Sequence, residues 1–375
     1  MFRFTLTKTD PECQARTGIL TTAHGTIHTP AFMPVGTAAT VKGLTPADLH
    51  ATGSECILAN TYHLMLRPGI ERVRRLGGVR AMMGWEGALL TDSGGFQAMS
   101  LKGLRQIDDD GIDFTSHLDG SKHRLTPETA TTMQHALDAT ISMVLDECTP
   151  YPATKTEAAT SMRRSMAWAE RSRAAFHPRS GYGQFGIVQG SIYPKLREES
   201  AKHLTSMEFD GLAIGGLAVG EGQEAMFATL DCTTPHLPET KPRYLMGVGK
   251  PDDIVGAVAR GIDMFDCVMP TRSGRNGQGF SKRGTVNLLN ARHADDPRPI
   301  ETDCDCPCCA NHSRAYLHHL FKANEVLGLM LLTHHNVRYY QRLMTEIRTS
   351  ISEGRFGAFR QAFHEAYTGG DIAPL

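Results

Sequence analysis

Seven short apolar runs, each ending in a polar or glycine-rich turn, constrain this chain more than any other feature. They read CILAN (56–60), ALLTDSGG (88–95), ISMVLDE (141–147), FGIVQG (185–190), LAIGG (212–216), RYLMGVG (243–249) and MFDCVMP (264–270). Continuous stretches of Ile, Leu, Val and Met this short suit strands buried on both faces of a parallel sheet. Helical stretches lie between several of them. Residues 157–176 mix Ala, Met and Trp with charges, Pro194 opens PKLREESAKHL, and Pro251 opens PDDIVGAVARGI. Proline suits the first helical position, and the two acids after Pro251 sit where the helix dipole favours them. The alternation predicts βαβ units. With one more strand from the N-terminal region, the set closes an α/β fold of the (β/α)8 type. An open doubly wound sheet is the rival, and periodicity does not choose between them. A barrel places its chemistry at the C-terminal ends of its strands. Here those ends carry Asn60, Asp92, Asp146, Gln189, Gly216, Gly247 and Asp266, a polar rim with no evident structural cause.

The chain has 375 residues, 41% hydrophobic and 21% charged, which suits a globular protein with an ample core. That length allows one large barrel or two ordinary domains. The opening MFRFTLTKTDPECQARTG has no apolar signal core. No apolar run is long enough to cross a bilayer, so the expected location is the cytoplasm, with no membrane contact. A net charge of −1 does not announce a nucleic-acid binder. The distribution is more suggestive. From Cys267 to His293 stand Arg272, Arg275, Lys282, Arg283 and Arg292, with no acidic residue among them. Such a strip is either a solvated loop or a phosphate-contacting surface. The acidic run Asp108, Asp109 and Asp110 reads as a solvated loop.

Five of the nine cysteines are scattered, and four crowd into CDCPCC (304–309), with His334–His335 following about one helix later. Zinc takes four thiolate and imidazole ligands in a tetrahedron. Cys304, Cys306 and Cys309 form C-x-C-x2-C, and one later histidine closes the site. A closed site leaves no position for water and reads as structural. Spacing leaves open whether Cys308 replaces Cys309 and whether His334 replaces His335. The polar stretch ADDPRPIETD (294–303) looks like the entry to an appended subdomain.

TDSGGFQ (91–97), LDE (145–147), QG (189–190), GGLAVGE (215–221), MGVGKPDD (246–253), FDCVMPTRSGRNG (265–277), CDCPCC and THHN occur in this order. Together they resemble the bacterial-type tRNA-guanine transglycosylase (queuine tRNA-ribosyltransferase) family, from about TPAFMPVGT (29–37) to the helix after His335. The resemblance implies an irregular (β/α)8 TIM barrel over residues 1–375, with a zinc-binding subdomain, residues 290–348, inserted near the C-terminus. It matches Cys304, Cys306, Cys309 and His335 to the ligands of one structural Zn2+ per subunit. Cys308 is an extra thiol in that pattern. The family works as a homodimer, with the zinc subdomain close to the partner.

The resemblance also implies a reaction, namely exchange of guanine at the tRNA wobble position for 7-aminomethyl-7-deazaguanine, in queuosine biosynthesis. The tRNAs are those of the aspartate, asparagine, histidine and tyrosine types. Exchange by double displacement needs a carboxylate nucleophile and a second acid/base group. By family match Asp266 is the nucleophile and Asp92 the acid/base. Ser93, Gly94, Gly95, Phe96, Asp146, Gln189, Gly216, Leu217 and Met246 match the base pocket. In it Asp146 reads the donor edge, Gln189 and the Gly216 N–H contact O6, and Phe96 and Met246 stack on the base. Without the family, Phe96 and Met246 would read as core residues. Gly247, Val248, Gly249, Lys250, Pro251, Asp252 and Asp253, with Thr271, Arg272, Ser273, Gly274 and Arg275, match RNA-contacting stretches. Val219, where queuine-using relatives carry glycine, closes room for a cyclopentenediol, and Glu221 stands near enough to help bind an aminomethyl cation through a backbone peptide. Asp263, close to Asp266, reads as structural. The alternative is a non-catalytic tRNA-binding partner subunit, disfavoured by the presence of both aspartates.

Overall fold

The computed structural model describes residues 1–101 and 105–374. Eight parallel strands form one sheet, here numbered β1 (Ala31–Pro34), β2 (Cys56–Ala59), β3 (Ala88–Thr91), β4 (Ile141–Met143), β5 (Gly183–Val188), β6 (Gly211–Ile214), β7 (Arg243–Leu245) and β8 (Met264–Cys267). Neighbours follow chain order, and β8 pairs with β1, Asp266 opposite Met33. Between β1 and β2 the ring is closed by a parallel bridge, Val35 to Leu58, with the Gly36 N–H donating to the Leu58 carbonyl at 2.6 Å. The sheet is a barrel and not the open alternative.

All seven predicted runs are strands, and the eighth comes from the N-terminal region as expected. Their ends are shorter than the apolar runs. The run at 141–147 pairs only to Met143, because helix hydroxyls then replace the ladder. The Leu145 N–H donates to Ser172 Oγ at 3.3 Å, and the Glu147 N–H to Ser165 Oγ at 2.9 Å. Those serines belong to helix Lys155–Ala175, which a Thr154–Glu157 capping box starts two residues before the expected 157. Pro194 and Pro251 open helices Pro194–Thr205 and Pro251–Val258 as predicted.

An antiparallel sheet, Arg3–Thr9, Arg16–Thr22 and Gly25–Thr29, lies across the N-terminal ends of the barrel strands. Phe2 packs edge-on to Phe185, and Arg16 grips Asp263. A second small sheet, Arg105–Ile107, Ile112–Thr115 and Lys122–Leu125, is inserted between β3 and β4. After β8 come helix Met269–Arg275, hairpin Gln278–Ser281/Gly284–Asn287, short helices Pro307–Asn311 and Arg314–Lys322, and the long helix Val326–Ser352. The long helix returns to the barrel wall, where Gln341 Nε2 donates to the Phe32 carbonyl at 3.0 Å and Tyr340 lies 4.6 Å from the Phe32 ring. Among the described residues no helix is long and apolar enough to cross a membrane.

Candidate active site and metal centre

Asp92 follows β3 at the C-terminal mouth. Its carboxylate accepts from Asn60 Nδ2 at 2.5 Å, the Thr61 N–H at 2.8 Å and Gln97 Nε2 at 2.8 Å. The Thr61 hydroxyl also donates to the Asp92 carbonyl at 2.5 Å, tying the ends of β2 and β3 together. None of these donors is charged. Burial pushes the carboxyl above the usual range, and the three donors pull against it.

Asp266 lies within β8. Oδ1 accepts from Tyr244 Oη at 2.6 Å and the Gly247 N–H at 2.7 Å. Burial raises this carboxyl too, and the nearby Asp92 charge adds to the rise. Tyr244 is fully buried, and burial first, then Asp266, push its phenol well above the ordinary value, so it stays a donor. Both aspartates are half-buried.

Asp146, Gln189 and Gly216 follow three successive strands, β4 to β6, and form one wall. Gln189 Nε2 donates to Asp146 Oδ2 at 2.6 Å. Burial raises the Asp146 carboxyl to about 6, with the Asp92 and Glu147 charges adding. Gly216 has φ 66°, and a Cβ there would stand 2.5 Å from Gln189 Oε1, so only glycine leaves this wall intact. Ser93, Gly94, Gly95 and Leu217 are buried, and a Cβ on Gly95 would stand 3.0 Å from the Asp146 carbonyl. Phe96, just after β3, is 55% exposed, while Met246, just after β7, is half-buried and packs against the main core. Glu221 turns onto its own loop, accepting from the Ala218 N–H at 2.5 Å and the Val219 N–H at 2.9 Å.

The two stretches matched to RNA contact flank the ends of β7 and β8. Gly247, Lys250 and Arg272 are exposed, and Asp252, Asp253, Ser273 and Arg275 are half-buried. Val248, Gly249, Pro251, Thr271 and Gly274 are buried, so their part is to shape the backbone. Asp252 and Asp253 both accept from Gln223 Nε2, at 2.8 and 2.6 Å. The basic strip is shorter than the sequence suggests. Lys282 pairs with Asp303 at 2.7 Å, Arg283 donates to the Gly370 carbonyl at 3.0 Å, and Arg292 lies 3.6 Å from Asp371. Arg272 and Arg275 alone of the five lack such a partner among the described residues. The acidic run also has company: Asp108 pairs with Arg124, Asp109 with Arg164 and Asp110 with Arg171, though their side chains stay 55–94% exposed.

Cys304, Cys306, Cys309 and His335 are buried, with their ligand atoms all within 4.8 Å of one another. Cys306 caps helix Pro307–Asn311, and the Cys309 N–H donates to its Sγ at 3.4 Å. His335 Nε2 meets the Phe280 carbonyl at 2.7 Å, which fixes the proton there and leaves Nδ1 as a ligand facing the sulfurs. A tetrahedral, thiolate-preferring metal ion fits this donor set. Both ambiguities of spacing are resolved. The converging set takes Cys309 and not Cys308, and His335 and not His334, whose Nδ1 faces Asp48 at 3.8 Å.

Sequence reasoning missed Tyr244 and the Thr61 and Gln97 donors. Tyr244 sits inside an apolar run and reads as core. Gln97 lay in a quoted motif, five residues after Asp92, a helical reach back to the strand end that was available as a signal.

A barrel mouth with two carboxylates held by neutral donors, beside a wall that presents both donors and acceptors, has the equipment of an enzyme that breaks and remakes glycosidic bonds. A family model described as "Queuine tRNA-ribosyltransferase" matches residues 10–369. Proteins of that name are 62% identical over 345 residues in Gluconacetobacter diazotrophicus (92% of this chain, 89% of the relative). In Cereibacter sphaeroides the identity is 58% over 374 residues (100% and 99%), and in Zymomonas mobilis 57% over 369 (97% and 96%). The chain belongs to the queuine tRNA-ribosyltransferase family.

Proposed function

We propose that this chain is a tRNA-guanine transglycosylase, exchanging guanine in tRNA for 7-aminomethyl-7-deazaguanine as a step of queuosine formation. The pairing of Asp92 and Asp266 in one mouth, each held only by neutral donors, carries the reading. Asp266 attacks ribose C1′ while the C1′–N9 bond breaks and its electron pair leaves on the base. Burial favours a proton on Asp92, which it gives to the departing guanine. Asp92 then takes the N9 proton of the incoming base, whose N9 attacks C1′ and displaces Asp266.

Asp146 reads the purine N1–H and N2–H, and Gln189 and the Gly216 N–H serve O6. Phe96 and Met246 stack on the base, with Ser93, Gly94, Gly95 and Leu217 completing the slot. Val219 and Glu221 set the choice of the small aminomethyl base. The RNA is an anticodon loop of the aspartate, asparagine, histidine or tyrosine tRNAs, its wobble nucleotide flipped into the mouth. Arg272 and Arg275 contact it, in the stretch Thr271–Arg275, together with Gly247–Asp253. The metal is Zn2+, which when bound pins residues 290–348, as a subdomain, to the single barrel domain 1–375. The enzyme works as a cytoplasmic homodimer. The test is incorporation of radiolabelled guanine into unmodified tRNA, repeated with Asp266→Ala. Incorporation lost only in the variant supports the scheme. Tight tRNA binding with no incorporation by wild type would sink it.

A further inference from the structure

Arg197 lies in the first turns of helix Pro194–Thr205 and is fully buried. Its guanidinium meets no carboxylate. Nε donates to the Ser191 carbonyl at 2.7 Å, and Nη1 to the carbonyls of Val188 at 2.9 Å and Gly215 at 2.8 Å. Nη2 has no partner. A buried cation satisfied only by carbonyl dipoles is costly, and a carboxylate is the usual remedy. The chain uses that remedy elsewhere, since buried Arg16 grips Asp263 at 2.6 Å and buried Arg314 grips Asp371 at 2.9 Å.

The carbonyls that Arg197 holds belong to the ends of β5 and β6, the strands that deliver Gln189 and Gly216. The unused Nη2 lies 3.6 Å from where a Cβ on Gly216 would stand. Gln189 Oε1, also without a partner, lies 2.5 Å from the same point. Cation and amide oxygen thus both lie close to Gly216, with no hydrogen bond joining them. Burial lowers the guanidinium only to about 10, so it is charged at neutral pH. The nearby Glu221 carboxylate is engaged by the Ala218 and Val219 amides.

We propose that Arg197 is a positioning residue of the exchange reaction: without touching substrate, it turns the Gln189 amide oxygen toward itself and the nitrogen toward Asp146 and the base, and its uncancelled charge favours the negative charge that collects on the purine O6 as the base leaves. This rests on the base-exchange reading above. When the C1′–N9 bond breaks, the electron pair passes to N9, and conjugation carries part of that charge to O6 until a proton arrives from Asp92. In a water-poor wall a fixed charge acts across several ångströms. A carboxylate partner would cancel the field. Buried Arg243 lacks one as well, its Nη2 donating to the Leu237 carbonyl at 2.9 Å, so what sets Arg197 apart is its place beside Gln189 and Gly216.

The test compares Arg197→Met and Arg197→Lys with wild type, on tRNA carrying guanine and on tRNA preloaded with the more acidic 8-azaguanine. Arg197→Met is expected to lower kcat for guanine departure about 10- to 100-fold, with KM for tRNA moved less than about 3-fold. The loss is smaller for 8-azaguanine, which needs less help to carry charge, and Arg197→Lys recovers much of it. Equal losses for the two bases, or a lysine variant no better than methionine, would overturn the proposal. Should Arg197→Met not fold, the lysine variant decides alone. A kcat within about 5-fold of wild type, with the order of the two bases kept, supports the role. A collapse of kcat in a lysine variant that melts like wild type refutes it. Absence of exchange by wild type would strike the base-exchange reading, and this proposal with it.

Discussion

Two aspartates three residues apart, Asp263 just before strand β8 and Asp266 within it, are treated in opposite ways. Asp263, at the N-terminal end of the barrel, is gripped by Arg16 through Nε at 3.0 Å and Nη2 at 2.6 Å, and takes the Arg243 N–H at 2.7 Å. Asp266, at the C-terminal mouth, receives only the neutral phenol of Tyr244 and the N–H of Gly247. Both carboxyls are raised by burial, but only Asp263 has an opposite charge pulling it down. A full ion pair fixes a carboxylate and spends its charge. Neutral dipoles orient it and leave the charge for chemistry. The bottom of the barrel is built to stay as it is, and the mouth to react.

The strongest attempt to break this contrast is to remove each carboxylate in turn. Asp266→Ala is expected to lower base exchange by about 10^4-fold or more, the scale seen when a covalent nucleophile is lost. Its melting temperature should hold or rise slightly, because the group removed was buried and under-compensated. A stable Asp266→Ala protein with near-normal exchange, read by labelled guanine, would dissolve the distinction.

Next in size is the metal centre, which supports the mouth and not the bottom. His335 and its neighbour Asn336 clamp the chain just beyond β8. Asn336 Nδ2 donates to the Pro270 carbonyl at 3.0 Å and the Gln278 carbonyl at 2.9 Å, and its Oδ1 accepts from the Phe280 N–H at 2.9 Å. Chelation, or Cys306→Ser, should cost about 5 kcal/mol or more locally. Hydrogen exchange should rise first in residues 269–287 and 300–340, while the N-terminal sheet stays protected. Uniform deprotection of the whole chain would mean that the centre holds the barrel globally. Asp263→Ala is the smaller and opposite case. It strands the buried Arg16 guanidinium, costing about 3–5 kcal/mol by denaturant titration. Turnover per folded molecule should remain near wild type.

Much of this contrast is legible in the sequence, and the illegible part has a physical cause. Seven strands announce themselves because strands buried on both faces need uninterrupted apolar runs. Their ends are less visible, since the hydroxyls of Ser165 and Ser172 that take over from the ladder lie on a helix many residues away. The metal ligands are plain as a set, but spacing alone could not exclude Cys308. In the folded chain Cys306 is the helix cap and Cys309 the residue whose N–H answers it, and it is the Cys309 thiol that converges with Cys304, Cys306 and His335. Tyr244 and Arg197 were invisible as site residues. One looks like core and the other like a solvated helix residue, and only tertiary contact shows what each faces. The five-residue basic strip misled because its partners, Asp303, Gly370 and Asp371, are remote in sequence.

The finest test of the mouth is titration of Asp146, whose carboxyl is raised to about 6, first by burial and then by the Asp92 and Glu147 charges. Its folded value lies above the ordinary 3.8. The protonated form therefore favours the fold, and the stability it contributes is present below about 3.8 and lost as pH rises through about 6. Binding runs the other way. Only the ionised carboxylate can accept both the purine N1–H and N2–H, so base affinity requires a pH above 6. Below that point KM for guanine should climb by up to about tenfold per pH unit, with kcat much less affected. Asp146→Asn should raise KM at pH 8, erase the acid limb, and melt above wild type at pH 8 while matching it near pH 4. A KM that stays level from pH 5 to pH 8 in wild type would remove Asp146 from the reading of the base. The mouth would then hold two working carboxylates and one structural one, and the contrast between the ends of the barrel would be narrower than β8 suggests.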